Sequence, residues 1–485
     1  MTDYLVTIGL EVHAQIRTAS KMFCGCSAEI ANAAPNTHVC PTCLGLPGAL
    51  PVINRRAIEM VVATGLVLGS RIRAENQISR KNYFYADLPA GYQRSQFEDP
   101  ICAGGYVVLQ HEDGPRTIGL TRVHMEEDTG KLTHAADGSS LVDFNRAGVP
   151  LMEIVSEPDI TSPEEARQYF QKLRQILLWI GVNSGNMDEG ALRCDANISV
   201  RPVGQKEYGA KVEIKNMNSF RAVERALVYE IARQTAALRN GESIRQSTRG
   251  WNEATGRTVE QRVKEGSADY RYFPEPDIPP LQIGEALIAQ QRDALPELPD
   301  ARQQRFVFAY GLATADAETL TAERDRADYF EQAVAAAAPL GIAPREIANW
   351  MVGELLRLLN DTGELLVDAA VRFPPVYLAE VADLLAKGTI TRTSAKETCE
   401  AAFRAGRRPA DLVAERGLAV IGAGDALTAL AREVIAANAQ AVADYRAGKA
   451  TAIKFLIGQM MRATKGQASP QAAQTALEHE LAAVA

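Results

Sequence analysis

With 485 residues, 46% of them apolar, the chain can bury more than one core, because single cores rarely grow past about 250 to 300 residues. A net charge of −8 argues against holding nucleic acid through a bulk positive field, although local basic patches can still meet phosphates. No apolar run approaches the roughly 20 residues that span a bilayer, and the start MTDYLVTIGLEVH lacks the marks of a signal peptide; a cytoplasmic protein with no membrane association is expected.

The run Tyr4 to Ile16 alternates as a half-buried strand does: Val6, Ile8, Leu10 and Val12 point one way, and Glu11, His13 and Gln15 the other. Next comes Cys24-Gly25-Cys26, then Cys40-Pro41-Thr42-Cys43. Four thiolates at these spacings let two short knuckles close a tetrahedral zinc site. Such a closed site leaves no position for water, so its task is to hold a loop rather than to do chemistry. The seven cysteines are an odd number in a long chain, which disfavours a disulfide framework, and Cys102, Cys194 and Cys399 read as packing residues.

Arg80-Lys81-Asn82-Tyr83-Phe84-Tyr85 is dense in cations and aromatic rings, as is Asp269-Tyr270-Arg271-Tyr272-Phe273-Pro274. Such segments suit stacking on a base, or equally a core or an interface. Between them, the run Ile118 to Glu127 projects Arg122, His124 and Glu126 together, with Glu127 and Asp128 at its polar end. Ser162, Pro163 and Glu165 form a capping box that opens a helix running to Gly181. A further strand sets Arg193, Asp195, Asn197 and Ser199 on one face, and another sets Lys211, Glu213 and Lys215 on one face. A second helix is expected from near Ser219 to Asn240 and Gly241.

The proline-rich stretch from Phe273 reads as a linker or covering loop, and a domain boundary follows it. From Ala294 the composition turns to Ala, Leu, Glu and Arg with helical periodicity, punctuated by Pro339, Pro374, Gly422 and Gly424. The turn-rich basic stretch around Arg404, Arg407, Arg408 and Pro409 marks a second boundary. From there to Lys465 basic residues outnumber acidic ones, which suits either a solvated helical surface or a phosphate-contacting tail. The expected class is α+β: residues 1–293 an antiparallel-sheet domain, 294–408 an all-α domain, and 409–485 a small α-helical tail.

Each polar-faced strand taken singly is what a half-solvated antiparallel strand looks like. Taken together they can line one cavity holding Glu11, His13, Glu126, Glu127, Asp195 and Glu213 beside Lys81, Lys211 and Lys215. Carboxylates carrying Mg²⁺ to nucleotide phosphates, with lysines neutralising developing charge, suit phosphoryl transfer. Imidazole is less usual around Mg²⁺, so Mn²⁺ or an outer role for His13 stays open. No phosphate loop or dinucleotide glycine signature occurs in a supporting context, so if ATP binds, it binds otherwise.

The segments IGLEVHAQIRTASKMFC, RKNYFYADLPAGYQRSQF, TRVHMEEDTGKLTH, VDFNRAGVPLMEIVSEPD, RCDANISVRP, EIKNMNSFRAVERAL and DYRYFPEPDIPPL closely resemble the motifs of the GatB family, the B subunits of aspartyl/glutamyl-tRNA amidotransferases. The resemblance implies a cradle domain, a helical linker domain and a YqeY-like tail that engages tRNA. It also implies an ATP-dependent ligase that phosphorylates the side-chain carboxylate of Glu-tRNA(Gln) or Asp-tRNA(Asn). Ammonia then displaces the phosphate, delivered by an amidase partner, the family's A subunit, in a heterotrimer braced by the small C subunit. Carried onto this chain, the Mg²⁺ site is Glu11 and His13 with Glu126 or Glu127, and Cys24, Cys26, Cys40 and Cys43 match the zinc-bearing branch. Lys81, Tyr83, Lys215 and Asn216 are assigned to the cofactor, and Asp195, Lys211 and Glu213 lie in matching motifs. The competing reading is a non-catalytic zinc-containing RNA-binding protein, whose weakness is that carboxylates on an RNA face repel phosphate unless cations bridge them.

Overall fold

The computed structural model describes residues 3–111, 113–135, 137–263, 270–420, 425–449, 451–464, 467–468 and 470–483. Asp269, Gly422, Gly424 and Lys465 lie outside the described residues. The chain divides into two compact units, Met1–Leu298 and Pro299–Ala485.

The first unit is built on one large sheet. Its main path among the described residues comprises β1 (Tyr4–Gln15), β2 (Ser79–Asn82), β3 (Tyr92–Ser95), β4 (Gly114–Glu127), β5 (Pro150–Ser156), β6 (Leu192–Pro202), β7 (Val212–Met217), β8 (Ser247–Asn252), β9 (Arg257–Val263) and β10 (Phe273–Pro274). They lie in the order β9-β8-β7-β6-β1-β5-β4-β3-β2-β10. Pairing is antiparallel, as the alternating runs imply, except that β7 and β8 run parallel. The reason is the connection: a parallel pair needs a long crossover, and a helix supplies it between Met217 and Ser247.

The helices that accompany this sheet include α1 (Arg55–Val67), α2 (Pro163–Trp179) and α3 (Phe220–Arg239). The latter two are those expected from sequence. Ser162 caps α2 by accepting from the Glu165 N–H at 3.1 Å, but the Glu165 carboxylate reaches back to the Thr161 N–H at 2.8 Å rather than closing the box on Ser162. Helix α1 is an addition to the sequence reading. It is apolar almost all round, with Met60 to Gly65 consecutively buried, so it shows no amphipathic stripe. Gly65 sits where a Cβ would come within 2.3 Å of the Cys102 Sγ, which explains a glycine inside that helix.

Ile8, Leu10 and Val12 of β1, Val123 of β4, Ile154 of β5 and Ile198 of β6 share one core with Met60 and Val61 of α1, Phe170 and Leu173 of α2, and Val223 and Leu227 of α3. Each fully buried Leu, Ile or Val contributes roughly 1.5–3 kcal/mol. Period-2 alternation then leaves the intervening polar residues on the opposite face of the sheet. The proline-rich stretch begins at the sheet edge, with Phe273 opposite Arg80, and then forms a separate two-stranded sheet in which Leu281 stands opposite Asn76.

The second unit is all helical among the described residues. Its aromatic core includes Phe306 of α4 (Pro299–Tyr310) and Phe330 of α5 (Arg324–Ala337), ring centroids 5.0 Å apart. Within the same unit, α6 (Asp425–Ala437), α7 (Thr451–Ala463) and α8 (Pro470–Ala483) bury a core of their own through Leu427, Ala431, Leu456, Met460, Leu477 and Leu481. Of the basic residues near the tail, Arg404, Arg407, Arg408, Arg432 and Lys449 are paired with carboxylates. Among the described residues no helix is long and apolar enough to cross a membrane.

Candidate functional site

Strand register assembles the polar face. Arg193, His13, Glu153 and His124 stand opposite one another in a single row across β6, β1, β5 and β4. Two residues along, Glu11 faces Asp195. On the other side of the row Glu126 is paired with Leu151 of β5 and with Ser95 of β3. The result is a cavity of about 330 Å³ whose wall includes His13, Lys81, Tyr83, Glu126, Asp195, Lys215 and Asn216.

Two of these residues, His13 and Glu126, come together with Glu153, single ligand atoms of the three all lying within 4.8 Å of one another. His13 Nε2 is 3.6 Å from Glu153 Oε2, and His124 Nε2 is 3.4 Å from the same oxygen and 3.5 Å from Glu126 Oε1. Ser95 Oγ donates to Glu126 Oε1 at 2.8 Å and Gln93 Nε2 to Oε2 at 3.2 Å, fixing that carboxylate. Burial disfavours charge on His124, yet Glu153 and Glu126 outweigh it and raise the imidazole to about 9. Burial likewise opposes ionisation of Glu126 and Glu153, but the neighbouring cationic groups hold both below the usual carboxylate range. Two like-charged carboxylates share this buried spot and repel one another. Hard oxygen donors with one imidazole, gathered around mutual repulsion, fit a divalent cation of the Mg²⁺ or Mn²⁺ type.

Cations ring the cluster. Lys81 Nζ lies 5.1 Å from the Tyr270 ring centroid and 5.9 Å from that of Tyr83, so the two cation-aromatic segments come together. Burial opposes its charge, but Glu126 and Glu153 raise its pKa above the usual lysine value. Lys215 Nζ is 2.6 Å from Asp195 Oδ2 and 3.1 Å from Glu213 Oε1. Next to it Asn216 adopts φ 65°, a left-handed conformation that asparagine tolerates better than most residues, where the β6–β7 register shifts. Such an irregularity re-aims side chains, and Lys215, Asn216 and Met217 all line the cavity.

Not every sequence candidate joins this cluster. Glu11 accepts from Asn197 Nδ2 at 2.7 Å and is not one of the three clustered donors. Glu213 lies behind Lys215 and accepts from Thr248 Oγ1 at 2.9 Å. Lys211 is exposed, just before β7. Glu127 follows Glu126 on a strand and so points to the other face. There it accepts from the Arg94 N–H at 3.0 Å and from Arg94 Nη1 at 3.2 Å. Conversely, Glu153, His124, Arg193 and Asp128 belong to the site, although sequence patterning does not place them in the shared cavity. The signal for Glu153 is present: a lone carboxylate within the apolar run Pro150 to Val155 needs a partner to be stable there.

The four cysteines converge away from the cavity chemistry, their sulfurs within 4.8 Å of one another. Cys43 and Cys40 Sγ are 3.8 Å apart, the edge of a tetrahedron with zinc–sulfur bonds of about 2.3 Å. The Cys40 N–H donates to Cys43 Sγ at 3.1 Å. A hydrogen bond from Cys24 pulls the Cys43 thiol down to about 5 against burial, and the Lys21 charge assists. Lys21 itself is 1% exposed. The donor set fits zinc.

A family model described as the GatB/GatE catalytic domain matches residues 6–289, and one described as the GatB domain matches residues 328–481. The chain is 69% identical over 480 residues to the B subunit of the aspartyl/glutamyl-tRNA(Asn/Gln) amidotransferase of Roseiflexus castenholzii, covering 99% of each chain. It is 53% identical over 479 residues to the protein of the same name from Herpetosiphon aurantiacus, again covering 99% of each. The Thermomicrobium roseum protein of that name is 53% identical over 482 residues, with 99% of each chain covered. The chain belongs to the GatB family, the B subunits of aspartyl/glutamyl-tRNA(Asn/Gln) amidotransferases, which are ligases.

Proposed function

We propose that this chain carries out the ATP-dependent amidation of Glu-tRNA(Gln), Asp-tRNA(Asn) or both in the cytoplasm. A carboxylate is a poor acyl electrophile, because its leaving group would be an oxide. Transfer of the ATP γ-phosphoryl to a side-chain carboxylate oxygen forms an acyl phosphate and releases ADP. Attack by ammonia on the acyl carbon then expels inorganic phosphate and leaves the amide, with the surplus ammonium proton passing to a nearby base.

The observation that carries this reading is the cluster of His13, Glu126, Glu153 and His124, of which His13 and Glu126 line the cavity together with Lys81. Phosphoryl transfer depends on positioning and charge neutralisation more than on covalent chemistry by the protein. His13, Glu126 and Glu153 would hold Mg²⁺, which when bound supplies charge neutralisation on the phosphates. Lys81 stands where it can offset charge on the transferred phosphoryl, and Tyr83 and Tyr270 restrict its motion. Gln93 and Ser95 orient Glu126. The four cysteines would hold zinc as a brace, leaving the reaction to the cavity. In this reading ammonia comes from the amidase (A) partner in an assembly with the small C partner, and the helical tail from residue 409 engages tRNA.

The test is formation of Gln-tRNA from Glu-tRNA(Gln) with ATP, Mg²⁺ and ammonium, using the chain with its partners and comparing Glu153→Gln. Product in the wild type and its loss in the variant, with tRNA binding retained, supports the reading. Absence of ATP-dependent product in the wild type favours a tRNA-binding protein without its own chemistry.

A further inference from the structure

The cavity wall carries one more cation, and the reaction as proposed has not used it. Arg193 stands on β6 opposite His13, in the row that continues to Glu153 and His124. One corner of its guanidinium is fixed, because Nη2 donates to Asp128 Oδ1 at 3.0 Å. Asp128 is only 4% exposed and is itself held in place. It accepts from Gln15 Nε2 at 2.9 Å and from the Thr129 N–H at 3.0 Å, and Arg146 Nε is 3.8 Å away. The loop beyond it is anchored too, since the Gly148 N–H donates to the Asp128 carbonyl at 2.9 Å and the Met22 N–H to the Gly148 carbonyl at 2.7 Å.

A guanidinium offers five N–H donors in a rigid plane. Asp128 takes one of them, while the arginine side chain remains 36% exposed and faces the cavity. The other cavity cations differ in kind. Lys215 is engaged by Asp195 and Glu213, and Lys81 is a point charge among aromatic rings. Arg193 is the cavity cation whose geometry matches a carboxylate edge to edge.

We propose that Arg193, steadied by Asp128, reads the free side-chain carboxylate of the aminoacyl ester, so that the cavity accepts the acid and releases the amide. The inference rests on the amidation reading above. The reaction converts a doubly accepting anion into a neutral carboxamide, whose NH₂ donors would face the N–H donors of the arginine. One charge-assisted hydrogen bond is lost and one donor is left unpaired, which amounts to about a 10- to 100-fold difference in affinity. Arg193 would thus be a substrate-binding residue, and Asp128 a positioning residue acting through it.

The experiment measures equilibrium binding, to the chain assembled with its partners, of tRNA(Gln) carrying Glu or Gln through a stable amide link at its 3′ end. The wild type is expected to bind the Glu form about 10- to 100-fold more tightly. Arg193→Gln should bind the two forms alike and raise KM for Glu-tRNA while KM for ATP is unchanged. Arg193→Lys, which keeps the charge but not the fork, should fall between, and guards against a variant that fails to fold. Asp128→Asn should reduce the preference with a smaller effect on kcat. Retention of the full preference in both arginine variants, or a rise in the KM for ATP instead, overturns the proposal and assigns Arg193 to phosphate or to the wall alone. Failure of the wild type to make Gln-tRNA at all removes the amidation reading and this inference with it. Normal product formation with undiminished discrimination in Arg193→Gln removes the arginine's role only.

Discussion

Glu153 on β5 lies directly across the sheet from His13 on β1, with Oε2 3.6 Å from Nε2, and the same carboxylate oxygen is 3.4 Å from His124. Glu11, two residues before His13 and on the same face, turns instead to Asn197. The two glutamates therefore differ in what their loss should do. Glu153→Gln removes one of three clustered donors and should lower ATP-dependent product formation by at least the ~10- to 100-fold typical of losing even an outer-shell partner of a metal. Glu11→Gln should lose less. Steady-state amidation assays across a Mg²⁺ and Mn²⁺ titration decide the order; an equal or greater loss in Glu11→Gln would restore the LEVH glutamate to the cation site.

How far the sequence reveals this arrangement depends on the periodicity of each strand. In β1 and β6 alternation separates polar from apolar faces along the strand, and in β4 from Arg122 to Glu126 and β7 from Val212 to Lys215 it does so over the runs beside the register shifts, so His13, Glu126, Asp195 and Lys215 are identifiable before their strands are known to be neighbours. The same rule, applied fully, separates Glu127 from Glu126, since consecutive residues face opposite ways. Glu153 is hidden because β5 is buried on both faces and shows no alternation. Long-range pairing, which places Lys81 of β2 between Tyr83 and Tyr270, depends on tertiary contacts that no local pattern encodes. Helix α1 escapes for the same reason as β5: burial all round erases the period.

The zinc knuckles provide a prediction with a metal readout. Elemental analysis of the purified chain should find one zinc, lost in Cys43→Ser together with a lower Tm, because a closed four-thiolate site contributes folding free energy. Lys21 is buried beside this site, its Cδ 3.6 Å and Cys43 Cβ 3.5 Å from the place a Gly148 Cβ would occupy. Its charge offsets that of four thiolates. Lys21→Met should therefore weaken zinc retention against a chelator by about tenfold, while Lys21→Arg retains most of it. Unaltered zinc exchange in Lys21→Met would reduce the lysine to a packing role.

Asn216 gives a backbone prediction. At φ 65° a residue with a bulky or β-branched side chain is strained by about 1–2 kcal/mol, whereas glycine is not. Asn216→Val should lower the stability of the first unit by that order, and Asn216→Gly should leave it nearly unchanged while removing the cavity amide. Urea unfolding followed by Trp179 and Trp251 fluorescence, both of which lie in that unit, separates the two variants. Equal stabilities would mean that the turn relaxes without cost.

The helical unit supplies a pH prediction away from any metal donor. Glu331 on α5 receives Arg302 Nη2 at 2.5 Å, Arg305 Nη1 at 2.6 Å and the Tyr310 hydroxyl at 2.8 Å. Burial opposes its charge, but these three donors bring the carboxyl from 4.5 down to about 2. Because the folded value lies below the unfolded one, the folded state binds its proton less readily, and the contribution to stability is complete above the unfolded value. It declines as pH falls from about 4.5 and is gone below about 2. Partial exposure screens these pairs, so the effect is smaller than the bare shift implies. The gap in Tm between wild type and Glu331→Gln should be widest near neutral pH and close as pH drops through that window. A gap that stays constant from pH 7 to pH 3 would show that the glutamate acts there through shape rather than charge.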